Sequence, residues 1–586
     1  MIYPKYKTFQ LLIPMLKEYN IRHIVISPGS RMREFVIAVE EDPFFTTFDV
    51  TDERSASYFA MGISQELNVP VVIVCTSSTA TTNYVPGVTE AFYQNVPIVV
   101  LTGDRDPYML GQQEDQMINQ VGMYDRVVRK SVTLPIVKDD ADKWYCQRLL
   151  NEALLELDHK KKGPVHINVP VPAVTYWKND KEISEYPKVN AIRRYCISDG
   201  YMSNLRQMIE RLSKAKKILV FAGQNISRFD NSLLESFFAK YNCCICAEHM
   251  GNVKGKGVLN LAGCSEMIPE DKFGEYVPEI VISFHGTIAI TRRLKEGLRT
   301  KHFEHWLIDE AGDVVDAYKN LNAIFECSPT DFFKFFIDNA PSDSKNDLQY
   351  YGKWLAAFEG QEFFHPEFSN VFAIKNLLDK MPAHSNLHLS ILNSIRISQY
   401  YNLPEYTKVY ANVGTDGIDG CMSTFFGQAS VTDRECFLII GDLSFFYDMN
   451  SLRIKHNRKN CHIMLINNHG GNEFYQQPIV PTTPQGLGAS HGNNAKAWAE
   501  SVGFKYLMAN DEQSYYNSIN DFVKVQETPI LFEIFTDQMI DRKMVFGLKG
   551  SFKKYYNGVV SDMKDAVKSM LGDKGVSKLK GLFGKN

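Results

Sequence analysis

A carboxylate stands directly at the end of an apolar run in "IIGDLSFFYD" (439–448), where Asp442 follows Ile439, Ile440 and Gly441. A second polar cluster, "LINNHGG" (465–471), ends another apolar run, and its Asn468 comes 26 residues after Asp442. That separation fits a strand–helix–strand crossover, which needs a dozen or more residues, with "YDMNSLRIKHNRK" as the expected helix. Asp442 and Asn468 would then lie at the carboxyl ends of neighbouring parallel strands, where open α/β sheets bind ligands. A carboxylate, an amide oxygen and the backbone carbonyl of Gly470 form a hard oxygen set. Such a set suits Mg2+ (or Mn2+) whose further ligands are diphosphate oxygens. Gly470 and Gly471 would allow close backbone approach, and Ser444 would sit where a helix N-terminus meets an anion. Asp442 as a plain helix cap is the alternative; the paired Asn-Asn-x-Gly-Gly at this spacing favours the metal.

Such residues need a parallel sheet to hold them. Strand-like runs ("IRHIVIS", "FTTFDV", "PVVIVCT", "PIVVLTGD") alternate with helical patterns ("RMREFVIAVEE", "RSASYFAMGISQEL", "TATTNYVPGVTEAFYQN") over residues 21–103. Continuous apolar strands between amphipathic helices predict a sheet covered on both faces. The pattern restarts at "KKILVFAGQ" (216–224), followed by "CCICAEHM", "PEIVISFHG" and "HWLIDEAG". It restarts again from about 365, with "KVYANVG", "ECFLIIGD", "CHIMLINN" and "PILFEIF". Polar, proline-containing stretches at 170–190 and from 339 read as linkers. The expected fold class is therefore α/β, with three doubly wound parallel-sheet domains at 1–180, 190–340 and 360–545. A tail at 547–586 carries nine lysines against three aspartates, interleaved with aromatic and aliphatic residues. It reads as a basic amphipathic helical segment suited to peripheral membrane contact, to a partner, or to capping its own protein.

The net charge of −4 over 586 residues gives no sign of nucleic-acid binding. The N-terminus lacks the pattern of a signal peptide, and no window approaches 18 uncharged apolar residues. The eleven cysteines are scattered and odd in number, as free thiols in a reducing compartment would be. A cytoplasmic location is expected.

Gly-Asp-x-Ser followed by Asn-Asn resembles the diphosphate–metal motif of thiamine-diphosphate enzymes, with Leu443 in place of the commoner glycine. Within these enzymes, "SPGSR" (27–31), "TDER" (51–54), "LTGDRDP" (101–107), "NVGTDGIDG" (412–420) and "GDLSFFYDMNSL" (441–452) resemble, in order, one family. It is 2-succinyl-5-enolpyruvyl-6-hydroxy-3-cyclohexene-1-carboxylate synthase of menaquinone biosynthesis. The resemblance spans the chain to about residue 545. It makes 1–180 a pyrimidine-binding domain, 190–340 a central domain and 360–545 a diphosphate-binding domain. It also implies that Glu53 hydrogen-bonds the aminopyrimidine and promotes its imino tautomer, whose nitrogen takes the thiazolium proton. Ile418 would hold the cofactor bent. Gly441, Asp442, Leu443, Ser444, Asn468 and Gly470 would bind its diphosphate, with Asp442, Asn468 and Gly470 on the metal. Ser30, Arg31, Arg105, Gln116, Arg292 (a lysine in the family), Arg293, Arg396 and Phe474 would form the substrate site. The implied reaction is decarboxylation of a 2-oxo acid, 2-oxoglutarate in the family, with transfer of the acyl carbanion to an acceptor, isochorismate in the family. Glu53 and Asp442 meet across two chains in that family, so a homodimer or tetramer is expected.

Three departures fall in the substrate half. The family pattern Asn-Arg-Gly has Val413 as its second residue here, which forgoes a charge-assisted bond of about 1.5–3 kcal/mol. In Asn-Ser-x-x-x-Arg the arginine position is Ser398, and Arg396 follows Ser394 by only two residues. Glu473 stands where the family has an aliphatic residue before Phe474. A related thiamine-diphosphate decarboxylase or acetolactate-type synthase, or a non-catalytic scaffold, would also carry parts of this pattern. A nicotinamide dehydrogenase would not, since no Gly-x-Gly-x-x-Gly follows a strand.

Overall fold

The apolar runs form strands, and every strand pairing is parallel. The computed structural model describes residues 2–172, 183–192, 205–225, 229–360, 365–473 and 485–548. The expected helical tail and Phe474 lie outside these described residues.

Three six-stranded sheets follow one another along the chain. The first contains β1 (His23–Ile26), β2 (Thr46–Asp49), β3 (Val71–Cys75), β4 (Ile98–Asp104), β5 (Lys130–Thr133) and β6 (Val165–Pro170), in the order β2-β1-β3-β4-β6-β5. The second contains β7 (Ile218–Ala222), β8 (Cys243–Ala247), β9 (Val258–Leu259), β10 (Ile280–Phe284), β11 (Glu304–Ile308) and β12 (Leu321–Phe325), ordered β12-β11-β10-β7-β8-β9. The third contains β13 (Asn386–Leu389), β14 (Lys408–Tyr410), β15 (Cys436–Gly441), β16 (Cys461–Asn467), β17 (Lys505–Ala509) and β18 (Ile530–Phe535), ordered β14-β13-β15-β16-β18-β17. The first and third sheets thus share one topology. Both reverse direction between their first and third strands, and that reversal opens a crevice at the carboxyl edge.

Helices cover both faces, so β3, β4, β6, β7, β8 and β16 are buried at every residue. The apolar core runs without a break from the first sheet to the third. Helix Glu53–Leu67 packs on helix Cys421–Ala429, joining Phe59 and Ile63 to Met422, Phe425 and Phe426. Two glycines permit this approach. A β-carbon on Gly62 would collide with the Thr424 carbonyl, and one on Gly427 with the Phe59 carbonyl.

One expected element differs. The chain after β15 does not form a helix over 447–459. It forms a short helix, Asp442–Tyr447, and a 3-10 turn, Met449–Arg453. The break falls at Asp448, whose buried carboxylate accepts hydrogen bonds from Ser423 N (2.7 Å) and Ser423 Oγ (2.8 Å) on the neighbouring helix. That tertiary tie outweighs the helical propensity of the following residues. No described helix is long and apolar enough to cross a membrane.

Candidate active site

In the third sheet the register Gly441↔Ile466 brings the ends of β15 and β16 level. The residues after β13, β15 and β16 surround a cavity of about 390 Å3 at the topological reversal. Ile418, Gly441, Asp442, Leu443, Ser444, Asn468 and Gly470 all line it. Asp442 is 3% exposed. Its Oδ2 accepts from Gly470 N at 2.9 Å and lies 3.3 Å from His491 Nε2, and its Oδ1 accepts from Leu443 N at 2.7 Å. Burial pushes this carboxyl above the usual range, opposed by the Gly470 N–H and by His491. Asn468 donates from Nδ2 to Asp541 Oδ2 at 2.9 Å. A carboxylate only accepts, so this bond turns the amide oxygen of Asn468 away from Asp541. Asp541 is itself held by Asn370 N (2.7 Å) and Thr536 Oγ1 (2.8 Å), and burial pushes its carboxyl up to about 6. Ser444 Oγ donates to the Ile418 carbonyl at 2.6 Å, tying the two sides of the cavity.

These residues fit a metal-bound diphosphate. Gly470 has φ +154°, and a β-carbon there would lie 2.7 Å from the Gly488 carbonyl. Gly441 has no atom within 4 Å of where its β-carbon would be, so the cavity reaches the backbone. Among the described residues no cluster of three or more His, Cys, Asp or Glu could hold a metal. A cation here would therefore rest on one carboxylate, neutral oxygens and its ligand's oxygens. Asn472 also lines the cavity, is 5% exposed, and has no hydrogen-bond partner for either amide atom. An orphaned buried amide is costly, and a bound polar group would satisfy it.

The first sheet carries the other predicted residues. Glu53 opens helix Glu53–Leu67, whose N-cap is Asp52, accepting from Ser55 N at 3.2 Å. Glu53 does not line the cavity of its own chain. Its charge, after burial, helps raise the Cys75 thiol and the Tyr84 hydroxyl. Ser30 and Arg31 follow β1, and Arg105 follows β4. The Gln116 carbonyl accepts from Ser77 Oγ, just past β3, at 3.0 Å. Arg31 is buried. It donates to the Val171 carbonyl at 3.1 Å, and its Nε has no partner. Burial and the nearby Arg105 lower its basicity, opposed by Asp115, Asp104 and Glu114. Arg105 pairs with Asp115 and, at 3.4 Å, with Glu114. In the second sheet's unit, Arg292 is exposed and pairs with Glu296 at 2.6 Å. Arg293 donates to the carbonyls of Glu266 (2.7 Å) and Ile268 (2.6 Å).

A family model described as "Thiamine pyrophosphate enzyme, N-terminal TPP binding domain" matches residues 6–123. A 2-succinyl-5-enolpyruvyl-6-hydroxy-3-cyclohexene-1-carboxylate synthase from Bacteroides thetaiotaomicron is 35% identical over 571 residues, covering 95% of this chain and 99% of that protein. The chain belongs to this synthase family. A synthase of the same name from Bacteroides fragilis is 34% identical over the same shares of both chains. Another, from Flavobacterium psychrophilum, is 32% identical over 92% of this chain and 98% of its own length.

Of the three departures from the synthase family pattern, Glu473 is among the described residues that line the cavity, while Val413 and Ser398 are buried outside that lining. Val413 is 4% exposed and packs in one apolar cluster with Ile395, Ile397 and Tyr400. Ser398 is fully buried and donates to the Ser394 carbonyl at 2.7 Å. Arg396 Nη1 and Glu473 Oε2 form an ion pair at 2.6 Å, and Glu473 lines the cavity.

Sequence reasoning missed Asn472, Asp541, His491 and the residues that hold the Ile418 loop. Chief among the last is Glu90, on helix Val85–Tyr93 and 1% exposed. Its carboxylate accepts from Gly414 N (2.9 Å), Thr415 N (2.7 Å) and the Thr415 hydroxyl. Tyr58 OH anchors the loop's far end, donating to Asp419 Oδ2 at 2.9 Å. Glu90→Ala strips two backbone N–H groups of their acceptor and is expected to cost roughly 2–4 kcal/mol, read as a lower midpoint in urea denaturation.

Proposed function

We propose that the chain decarboxylates a 2-oxo acid and transfers the remaining acyl unit to an acceptor, using thiamine diphosphate and Mg2+ (or Mn2+). The observation that carries this reading is the buried group at the ends of β15 and β16. Asp442, Asn468 turned by Asp541, the Gly470 backbone and the unpartnered Asn472 face one cavity. Asp442, Asn468 and the Gly470 carbonyl would hold the metal. Gly441, Leu443 and Ser444 would lie along the diphosphate, and Ile418 would set the bend between the two rings. When bound, thiamine diphosphate supplies the electron sink for decarboxylation. Glu53 would hold the proton at the aminopyrimidine ring nitrogen.

Glu53 does not line its own chain's cavity, so the working unit in this reading is at least a homodimer. One protomer's Glu53, with Ser30, Arg31, Arg105 and Gln116, would close the other's cavity. The relatives' names make 2-oxo acid donors and a menaquinone-pathway acceptor the first pair to try. The departures at Val413, Ser398 and Glu473 favour a second reading, a thiamine-diphosphate carboligase with a different substrate pair. The test is carbon dioxide release by the cofactor-loaded protein across a panel of 2-oxo acids. Release from at least one is expected; release from none would overturn the proposal.

A further inference from the structure

We propose that Glu248 is a positioning residue for a carboxylate-bearing acceptor, because the loop it clamps fixes Arg292 beside the mouth of the cavity. This rests on the reading of the cavity as a thiamine-diphosphate site.

Glu248 follows β8 at its carboxyl end and is 4% exposed. A carboxylate buried so deeply needs donors, and successive backbone amides supply them. Oε2 accepts from Ala289 N at 3.1 Å, and Oε1 accepts from Ile290 N at 2.7 Å and Thr291 N at 2.6 Å. Burial pushes this carboxyl up, opposed by the Thr291, Ile290 and Ala289 N–H groups. Bonds to a charged acceptor are roughly twice as strong as neutral ones, so segment 289–291 is held firmly. Arg292 is the next residue and opens helix Arg292–Leu298.

The residues after Glu248 tie this clamp to the cavity wall. His249 N donates to Gln399 Oε1 at 2.9 Å. His249 Nε2 lies 3.1 Å from the Ser398 carbonyl and 3.0 Å from that of Tyr401. Carbonyls only accept, so Nε2 carries the ring's proton, and burial lowers the imidazole to about 4. Ser398 ends helix Asn393–Ser398, whose Asn393 and Ser394 line the cavity. Met250 is 1% exposed in the apolar cluster of Ile395, Ile397 and Tyr400, against which Ala289 and Ile290 also pack. Residues 248–250 thus hold the Arg292 loop and the cavity wall in one arrangement.

Arg292 is not among the described residues that line the cavity, and its side chain is 76% exposed. Glu296 raises its basicity, and the charge of Glu473, on the cavity wall, adds to that rise. The pair with Glu296 is exposed, and such pairs are weak, so it yields to a substrate carboxylate. A cation outside the wall suits the substrate that enters second. The 2-oxo acid joins the cofactor inside, and the acceptor approaches from the open side, where a guanidinium can take its carboxylate in bidentate fashion. Fixing the segment that carries Arg292 beforehand reduces the ordering cost of binding.

The test is steady-state kinetics of the full chain loaded with thiamine diphosphate and Mg2+, with 2-oxoglutarate as donor and isochorismate as acceptor. Glu248→Gln keeps the side chain's length but turns one acceptor into a donor facing these amides. It is expected to raise KM for isochorismate about ten-fold, with kcat and KM for 2-oxoglutarate within about two-fold of wild type. Loss of folded protein alone would lower kcat and leave KM. Arg292→Met is expected to raise the same KM, and Glu248→Gln to add nothing in its background, since both act through one contact. Hydrogen exchange reads the clamp without a variant. In wild type the amides of 289–291 are expected to exchange at least about ten-fold more slowly than that of exposed Thr287. An unchanged KM, a fall in kcat alone, additive losses in the double variant, or exchange at 289–291 as fast as at Thr287 would overturn the proposal. So would a wild type that releases carbon dioxide from a 2-oxo acid but consumes no isochorismate. Release from no 2-oxo acid would instead overturn the reading beneath it.

Discussion

Glu53→Gln is expected to lower turnover by roughly two to four orders of magnitude while leaving thiamine diphosphate affinity within about ten-fold of wild type. Glutamine keeps the shape of the side chain and one oxygen acceptor but cannot hold or release the proton. The loss should be confined to the chemical step, because Glu53 has little structural work. Helix Glu53–Leu67 is capped by Asp52, not by Glu53. What remains is the favourable placement of an acid in the first turn, about 0.3–1 kcal/mol at an exposed end. The thermal midpoint should therefore scarcely move while kcat collapses. A variant that retains wild-type kcat would show that Glu53 does not activate the cofactor.

Asp442→Asn is expected to abolish metal-dependent cofactor binding while leaving the cofactor-free protein close to wild-type stability. Two effects on the free protein oppose each other. The buried carboxylate is raised by desolvation, so removing its charge relieves a cost. Asparagine still offers an oxygen to Gly470 N, which the aspartate accepts from at 2.9 Å. With ligand the variants separate. A ligand present at about 100 times its Kd stabilises the folded state by about 2.7 kcal/mol, and this increment should vanish in Asp442→Asn. Thermal melts with and without thiamine diphosphate and Mg2+ read the difference. An undiminished upward shift in the variant would remove Asp442 from the metal site.

Asp442 and Asn468 were legible in the sequence for a definite reason. Each follows a continuous apolar strand at the point where composition turns polar, and a parallel crossover brings such points together. The same apolar continuity revealed β1–β4, β7, β8, β10, β11, β14–β16 and β18. It hid β6 and β13, whose buried His166, Asn168 and His388 interrupt the run. Tertiary partners meet both ring nitrogens of His166 (Thr102 and Ser131), the amide oxygen of Asn168 (Thr102 again) and Nδ1 of His388 (Gln428). Edge strand β17 is half-exposed, and β9 has only two residues.

The supporting residues left no such signal. Asp541 turns Asn468 from 73 residues away, inside helix Gln538–Leu548. Glu90 reaches Gly414 across 324 residues. Arg396 and Glu473, which read separately as departures from the family, become one feature only when the fold brings positions 77 apart into contact. Spacing along the chain reports partners joined by one crossover, and these pairs span several. Arg293, which the family resemblance places among the substrate residues, donates its guanidinium to two backbone carbonyls.

The cofactor reading is tested most directly by isothermal titration of thiamine diphosphate into the purified full-length chain, with and without Mg2+. Saturable heat approaching one cofactor per chain is expected with Mg2+ present and is expected to be lost without it. No binding heat with both ligands together would contradict the assignment of the Asp442–Asn468–Gly470 cavity as a thiamine diphosphate site.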